Sequence, residues 1–76
     1  MITVKLYGLL RIDHGIRERT MDAGSIKDVF RALAQEGIPQ SALNGCAILI
    51  NSKPASKRSK LRDGDVVQLL PPVAGG

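Results

Sequence analysis

Few residues in this chain could do chemistry, and the ones that stand out lie at its end. Gly75 and Gly76 follow Pro71, Pro72, Val73 and Ala74. Neither glycine carries a Cβ, so the backbone there can enter a narrow channel and its last carbonyl can be attacked without steric hindrance. Pro71 and Pro72 have no N–H to continue a β-ladder, and each biases its predecessor toward extended geometry. They also limit the freedom lost when such a segment is threaded into a site. The reading is a stiff arm presenting a bare carboxylate. At ~3.3 Å per residue, the stretch from Pro71 to Gly76 reaches about 20 Å, enough to enter a partner's buried site while a globular body docks outside. Val73 and Ala74 would be small apolar contacts along that channel.

The other reactive types stand alone. Cys46 is the single cysteine and opens an apolar run with no evident base beside it, so it reads as a small core residue rather than a nucleophile. His14 is the single histidine and falls in a connection without other ligand-spaced residues, which argues for a surface residue and no metal site. The body thus holds no catalytic constellation. It reads as a handle for the arm, not as an enzyme.

Its size suits that role. At 76 residues the chain is one domain, and domains of this size bury about 60% of their extended-chain surface. Hydrophobic residues make up 43% of it and mean hydropathy is +0.01, which indicates a soluble globular protein rather than a disordered one. One cysteine excludes an internal disulfide framework and suits a reducing compartment. No signal peptide is visible, and the longest apolar run, Cys46 to Ile50, is far below the ~20 residues of a spanning helix. A cytoplasmic protein that does not enter membranes is expected.

Formal charge is +4, and the excess is local: Lys53, Lys57, Arg58, Lys60 and Arg62 fall within ten residues. Such a cluster serves as a solvated loop, a contact for an acidic protein, or a contact for nucleic acid. Nucleic acid is the weakest of the three, because one Tyr, one Phe and no Trp leave almost no surface for base stacking.

The elements that must position the arm follow from periodicity. Ile2 to Tyr7 alternates with period two and predicts a half-buried strand. Gly8 to Gly15 reads as a mixed connection. Ile16 to Met21 predicts a second strand, whose Arg17-Glu18-Arg19 centre suits an edge, antiparallel to the first. Ser25 is a good N-cap with Asp28 three residues on, and Ile26, Val29, Phe30 and Leu33 fall on one helical face. Gly37 ends that helix and Pro39 prevents its return. Ser41 to Gly45 reads as a loop or one short helical turn. Cys46 to Ile50 predicts a central strand covered on both faces or nearly so. Asn51 to Pro54 reads as a turn, and Ala55 to Lys60 as the basic stretch, with room for a short edge strand. Leu61 to Asp65 is a tight turn on Asp63-Gly64, and Val66 to Leu70 the last strand. One helix crossing a small mixed sheet of four to five strands predicts an α+β, β-grasp (ubiquitin-like) fold over residues 1–70, with 71–76 as an extended tail.

At this point the residues carry a likeness. Leu61-Arg-Asp-Gly-Asp-Val66 followed by Pro71-Pro-Val-Ala-Gly-Gly76 closely resembles the small, sulfur-carrying subunit of molybdopterin synthase, and more broadly the sulfur-carrier family that includes the thiamine-biosynthesis member. The likeness extends over Ile2-Thr-Val-Lys-Leu6, Leu10-Arg11 and Ala47-Ile-Leu-Ile-Asn51. A terminal Gly-Gly alone arises about once in 200 chains at ~7% glycine usage; joined to the other motifs it is specific. The proline pair resembles the molybdopterin branch. Leu69 and Leu70 stand where many members of that branch have aromatic residues, and the basic cluster is no hallmark of the family.

The resemblance implies a role and partners. The carboxylate of Gly76 would be adenylated by an ATP-using, E1-like enzyme and converted, with sulfur from a donor protein, to a thiocarboxylate. That group would be delivered to the large catalytic subunit of a molybdopterin synthase-like complex. Leu69, Leu70, Pro71, Pro72, Val73, Ala74 and Gly75 would contact these partners. The chain itself would bind no cofactor, ATP being used by the activating enzyme. Three alternatives stay open: sulfur delivery to thiamine or another pathway, a protein modifier joined to target lysines through Gly76, and a basic RNA-binding β-grasp module.

Overall fold

The computed structural model describes residues 1–72. The first strand, β1 (Ile2–Leu6), buries Ile2, Val4 and Leu6 and turns Thr3 and Lys5 to the other face, as its alternation requires. It pairs antiparallel with β2 (Glu18–Met21). Its other edge pairs in parallel with the last strand. The connection between β1 and β2, expected to be irregular, is instead a short helix, α1 (Gly8–His14), so His14 closes a helix rather than lying in a loop. Only Leu10 of α1 is buried. With a single anchor and no side-chain cap at Tyr7, this helix has little periodic signal to read.

The second helix, α2 (Ile26–Gln35), forms as expected. Ser25 is extended and its Oγ accepts the Asp28 N–H at 3.3 Å. Ile26, Val29, Phe30 and Leu33 are all buried against the sheet. Gly37, at φ +97°, turns the chain out beyond the helix. The short helical turn is present as α3 (Gln40–Asn44), which buries Leu43.

The third strand, β3 (Ala47–Ile50), is not covered on both faces. Ile48 is buried while Ala47 is exposed, because one face of the sheet carries no helix. Asn51 and Ser52 make the turn after it, both at positive φ, and Lys53 and Pro54 belong to the edge strand β4 (Lys53–Ala55) rather than to the turn. Asparagine tolerates that left-handed conformation, and Pro54 is admissible because β4 is an edge. The last strand, β5 (Val66–Leu70), has the bounds that its flanking turn and prolines predict.

The sheet order is β2-β1-β5-β3-β4, with one parallel pair among antiparallel ones. This is the β-grasp fold. Val4, Leu6, Val67, Leu69 and Ile48 from the sheet meet Ile26, Val29, Phe30 and Leu33 from α2, with Ile38 and Leu43 closing the core. Arg19, in register with Val4 at the β2 edge, donates through Nε to Glu36 Oε1 at 2.9 Å, tying that edge to the end of α2.

Candidate functional site

The arm leaves from β5, and β5 occupies the middle of the sheet. It is bonded to β1 on one side and β3 on the other, so the arm starts from the strand least free to move. The Tyr7 N–H donates to the Leu69 carbonyl at 3.3 Å, extending the parallel ladder to the end of the strand. Alternation then separates two expected contact residues. Leu69 is fully buried in the core, so its side chain is not available to a partner, contrary to expectation. Leu70 points to the uncovered face, half-buried beside Ala47.

Two glycines receive the prolines. A Cβ on Gly8 would lie 3.0 Å from Pro71 Cγ, and one on Gly45 would lie 3.8 Å from Pro72 Cδ. Gly8 opens α1 and Gly45 follows α3, so each proline packs beside a glycine at the end of a short helix. Pro71 is half-buried there and Pro72 is exposed. Beside them runs a groove of about 270 Å³ whose walls include Leu9, Leu10, His14 and Ala42. Leu9 and Ile12 of α1 are 52% and 74% exposed, two of the three large hydrophobic side chains left in solvent among the described residues. Sequence reasoning missed both, because a connection was expected where α1 places them on one exposed surface. Val73, Ala74, Gly75 and Gly76, which carry the expected reactive end, lie outside the described residues.

Cys46 lies next to this region but is not disposed for chemistry. Its Sγ–H donates to the Ala42 carbonyl at 3.3 Å, and burial pushes the thiol pKa up, away from the reactive thiolate. Among the described residues no group of three or more His, Cys, Asp and Glu side chains could hold a metal ion. No helix of the described residues is long and apolar enough to cross a membrane.

At the opposite end of β5 a polar junction fixes the strand's start. Asp65 accepts the Arg62 N–H at 2.8 Å and the Asn51 side-chain amide at 2.9 Å, and Asn51 Oδ1 accepts the Val66 N–H at 3.0 Å. The Arg62 backbone bond, followed by that from Asn51, holds the Asp65 carboxyl below its ordinary range. The Met1 amine is bonded to Asp63 and paired with Asp22, and the Asp63 bond raises its pKa.

With this geometry in hand, the chain can be set beside known proteins. A family model described as ThiS family matches residues 4–76. One chain of the protein-protein complex of subunits 1 and 2 of molybdopterin-converting factor from Helicobacter pylori is similar at 32% identity and TM-score 0.70, over 99% of this chain and 97% of that one. The solution structure of small archaeal modifier protein 1 from Methanosarcina acetivorans is similar at 26% identity and TM-score 0.78, over 99% and 95%. SAMP1 from Haloferax volcanii shares the fold at 23% identity and TM-score 0.84, over 99% and 98%. No curated protein matches the chain.

Proposed function

We propose a function from the premise that the chain belongs to the ThiS family of ubiquitin-like sulfur carriers: its Gly76 is adenylated, converted to a thiocarboxylate, and used to deliver sulfur, in molybdopterin formation. The observation that carries this reading is the family match running to residue 76, on a fold whose central strand feeds directly into Pro71 and Pro72.

A carboxylate resists substitution because its oxygen would have to leave as oxide. In the first step a Gly76 carboxylate oxygen attacks the α-phosphorus of ATP on an activating enzyme, and pyrophosphate leaves. The acyl-adenylate now offers AMP as leaving group. Attack by hydrosulfide expels AMP, loses a proton and leaves the thiocarboxylate. Attack by a donor protein's persulfide gives an acyl disulfide instead, which a thiol reductant cleaves to the same product. The thiocarboxylate is a soft sulfur nucleophile, which a partner applies to a bound precursor while excluding water.

This chain's own contribution is positional. Gly75 and Gly76 permit access, Pro71 and Pro72 restrict the arm, and Leu70 with the exposed Leu9 supplies apolar contact around its base. Similarity to the Helicobacter pylori complex favours molybdopterin as the pathway and a second subunit as the partner.

Incubation with ATP, the activating enzyme and a sulfur donor is expected to replace one oxygen of the chain by sulfur in the intact mass. Deleting Gly76 is expected to abolish the change without altering the fold. An unchanged mass with a demonstrably active partner would overturn the reading. A protein-modifier role is favoured by the likeness to the Methanosarcina acetivorans modifier. It predicts higher-mass conjugates in cell lysate that disappear with Gly76.

A further inference from the structure

Lys53, Lys57, Arg58, Lys60 and Arg62 are all exposed, carried by β4 and the connection from β4 to β5. Elsewhere in the described residues Arg19 pairs with Glu36, Arg31 with Asp28 and the Met1 amine with Asp22 and Asp63, and the remaining cations, Lys5, Arg11, Arg17 and Lys27, are scattered along the chain rather than clustered. Among the described residues none of the five is ion-paired. The acids nearest in sequence are already committed, Asp63 to the Met1 amine and Asp65 to the Arg62 N–H and the Asn51 amide. Five like charges within ten residues therefore stand without a salt bridge, Arg62 alone also helping to hold the Asp65 carboxyl charged.

The segment that displays them is ordered. Ser59 accepts the Ile26 N–H at 3.1 Å and Gly24 accepts the Leu61 N–H at 2.9 Å, fastening the connection to the start of α2. Within it, Ser59 Oγ accepts the Ser56 N–H at 3.0 Å and Ser56 Oγ accepts the Arg58 N–H at 3.2 Å. Lys57 Nζ stands 5.8 Å from the centre of the Phe30 ring, within reach of a cation–π contact. A charged surface whose backbone is already bonded loses little entropy on binding. Arg62 lies at the opposite end of β5 from Pro71, and β4 is separated from β5 by β3.

We propose that this cationic edge is a docking surface for a carboxylate-rich face of a partner protein, which holds the body while leaving the arm free. Protein is favoured over nucleic acid by the aromatic residues. Phe30 is buried with Lys57 over its ring, and Tyr7 lies beyond the end of β1 with its hydroxyl accepting the Gln68 amide at 2.8 Å. The cationic segment therefore offers no ring on which a base could stack.

The test uses the full chain, isotopically labelled, titrated with poly-L-glutamate and separately with oligouridylate of equal charge. Poly-L-glutamate is expected to bind more tightly than the RNA, to shift the amide resonances of residues 53–62, and to weaken as salt is added. The triple variant K53E/R58E/K60E, which keeps Lys57 on Phe30, is expected to lose affinity by about tenfold, the sum of three exposed pairs. Reversal of Lys5, Arg11 and Arg17, which makes the same change in net charge, is expected to leave most of the affinity. Deleting Gly76 is expected to change nothing in this titration, so its result does not depend on the sulfur-carrier reading. Equal loss in the two triple variants, shifts outside residues 53–62, or tighter binding of the RNA would each overturn the proposal.

Discussion

Gly8 and Pro71 meet so closely that a single methyl group on Gly8 would stand 3.0 Å from the proline ring. Gly8 also has φ +58°, a conformation that side chains with a Cβ adopt only at a cost. The start of α1 and the start of the arm are therefore fitted to each other. The two residues that meet there are more than sixty positions apart in the sequence.

That relationship can be separated from simple backbone strain. Gly15 has φ +67° and nothing within 4 Å of where its Cβ would be. Gly8→Ala and Gly15→Ala should each lower stability by about 1–2 kcal/mol through the left-handed backbone. Only Gly8→Ala should also displace Pro71. Thermal melts are expected to show comparable losses, while the rate of sulfur loading at Gly76 falls in Gly8→Ala alone. Equal loading by the two variants would show that the contact does not steer the arm.

Alternation along β5 makes a second test. Leu69 is fully buried and Leu70 faces the uncovered side of the sheet. Leu69→Ala should cost about 2–5 kcal/mol by leaving a cavity between the sheet and α2. Leu70→Ala should cost roughly 1 kcal/mol or less, yet raise the KM of the activating enzyme for this chain. Denaturant unfolding and steady-state loading kinetics check the two halves.

Much of this frame was legible in the sequence, for identifiable reasons. The period of Ile2, Val4 and Leu6, the Ser25 cap with its helical stripe, and the Asp63-Gly64 turn before β5 each state a local structure that tertiary packing confirms. The two short helices were harder. α1 buries only Leu10, and its exposed Leu9 and Ile12 break the amphipathic pattern, so the apolar surface beside the arm had no signature. The edge strand for which the sequence leaves room from Ala55 onward lies instead at Lys53–Ala55, and Lys53 and Pro54 read as turn because proline is admitted to a strand only at an edge. The unreadable part of the site is thus the part built by contact between distant segments, Gly8 on Pro71 and Gly45 by Pro72.

Acid should loosen the junction before β5. The Asp65 carboxyl sits below its ordinary value of 3.8 because the Arg62 N–H and the Asn51 amide favour its charged form. Its contribution to stability is therefore complete above that ordinary value and is lost as pH falls through the lower folded-state value. Asp65→Asn should lower the melting temperature at neutral pH and flatten its decline in acid. The Met1 amine works in the opposite sense. Its pKa is raised above 8.0, chiefly by Asp63, so its contribution is present below that value and fades as pH rises through the higher folded one. Asp63→Asn should shrink that alkaline decline, leaving the smaller part that Asp22 supplies. Both groups are exposed, and added salt should shrink both effects.

Cys46 provides the control on where sulfur resides. It lies one residue after Gly45 and beside the groove at the arm's base, so it is the one side chain of the body that could accept sulfur as a persulfide. Its Sγ–H is bonded to the Ala42 carbonyl, and burial raises its pKa, which together disfavour the thiolate such a reaction needs. Alkylation by iodoacetamide is expected to be slow in the folded chain and fast after unfolding. Cys46→Ala should load sulfur as fully as the parent chain. The masses also distinguish the products. A thiocarboxylate exchanges one oxygen for one sulfur and survives thiol reductants, whereas a persulfide adds one sulfur and is reversed by them. A loaded species that disappears on reduction, or that Cys46→Ala fails to form, would move the sulfur from Gly76 to Cys46.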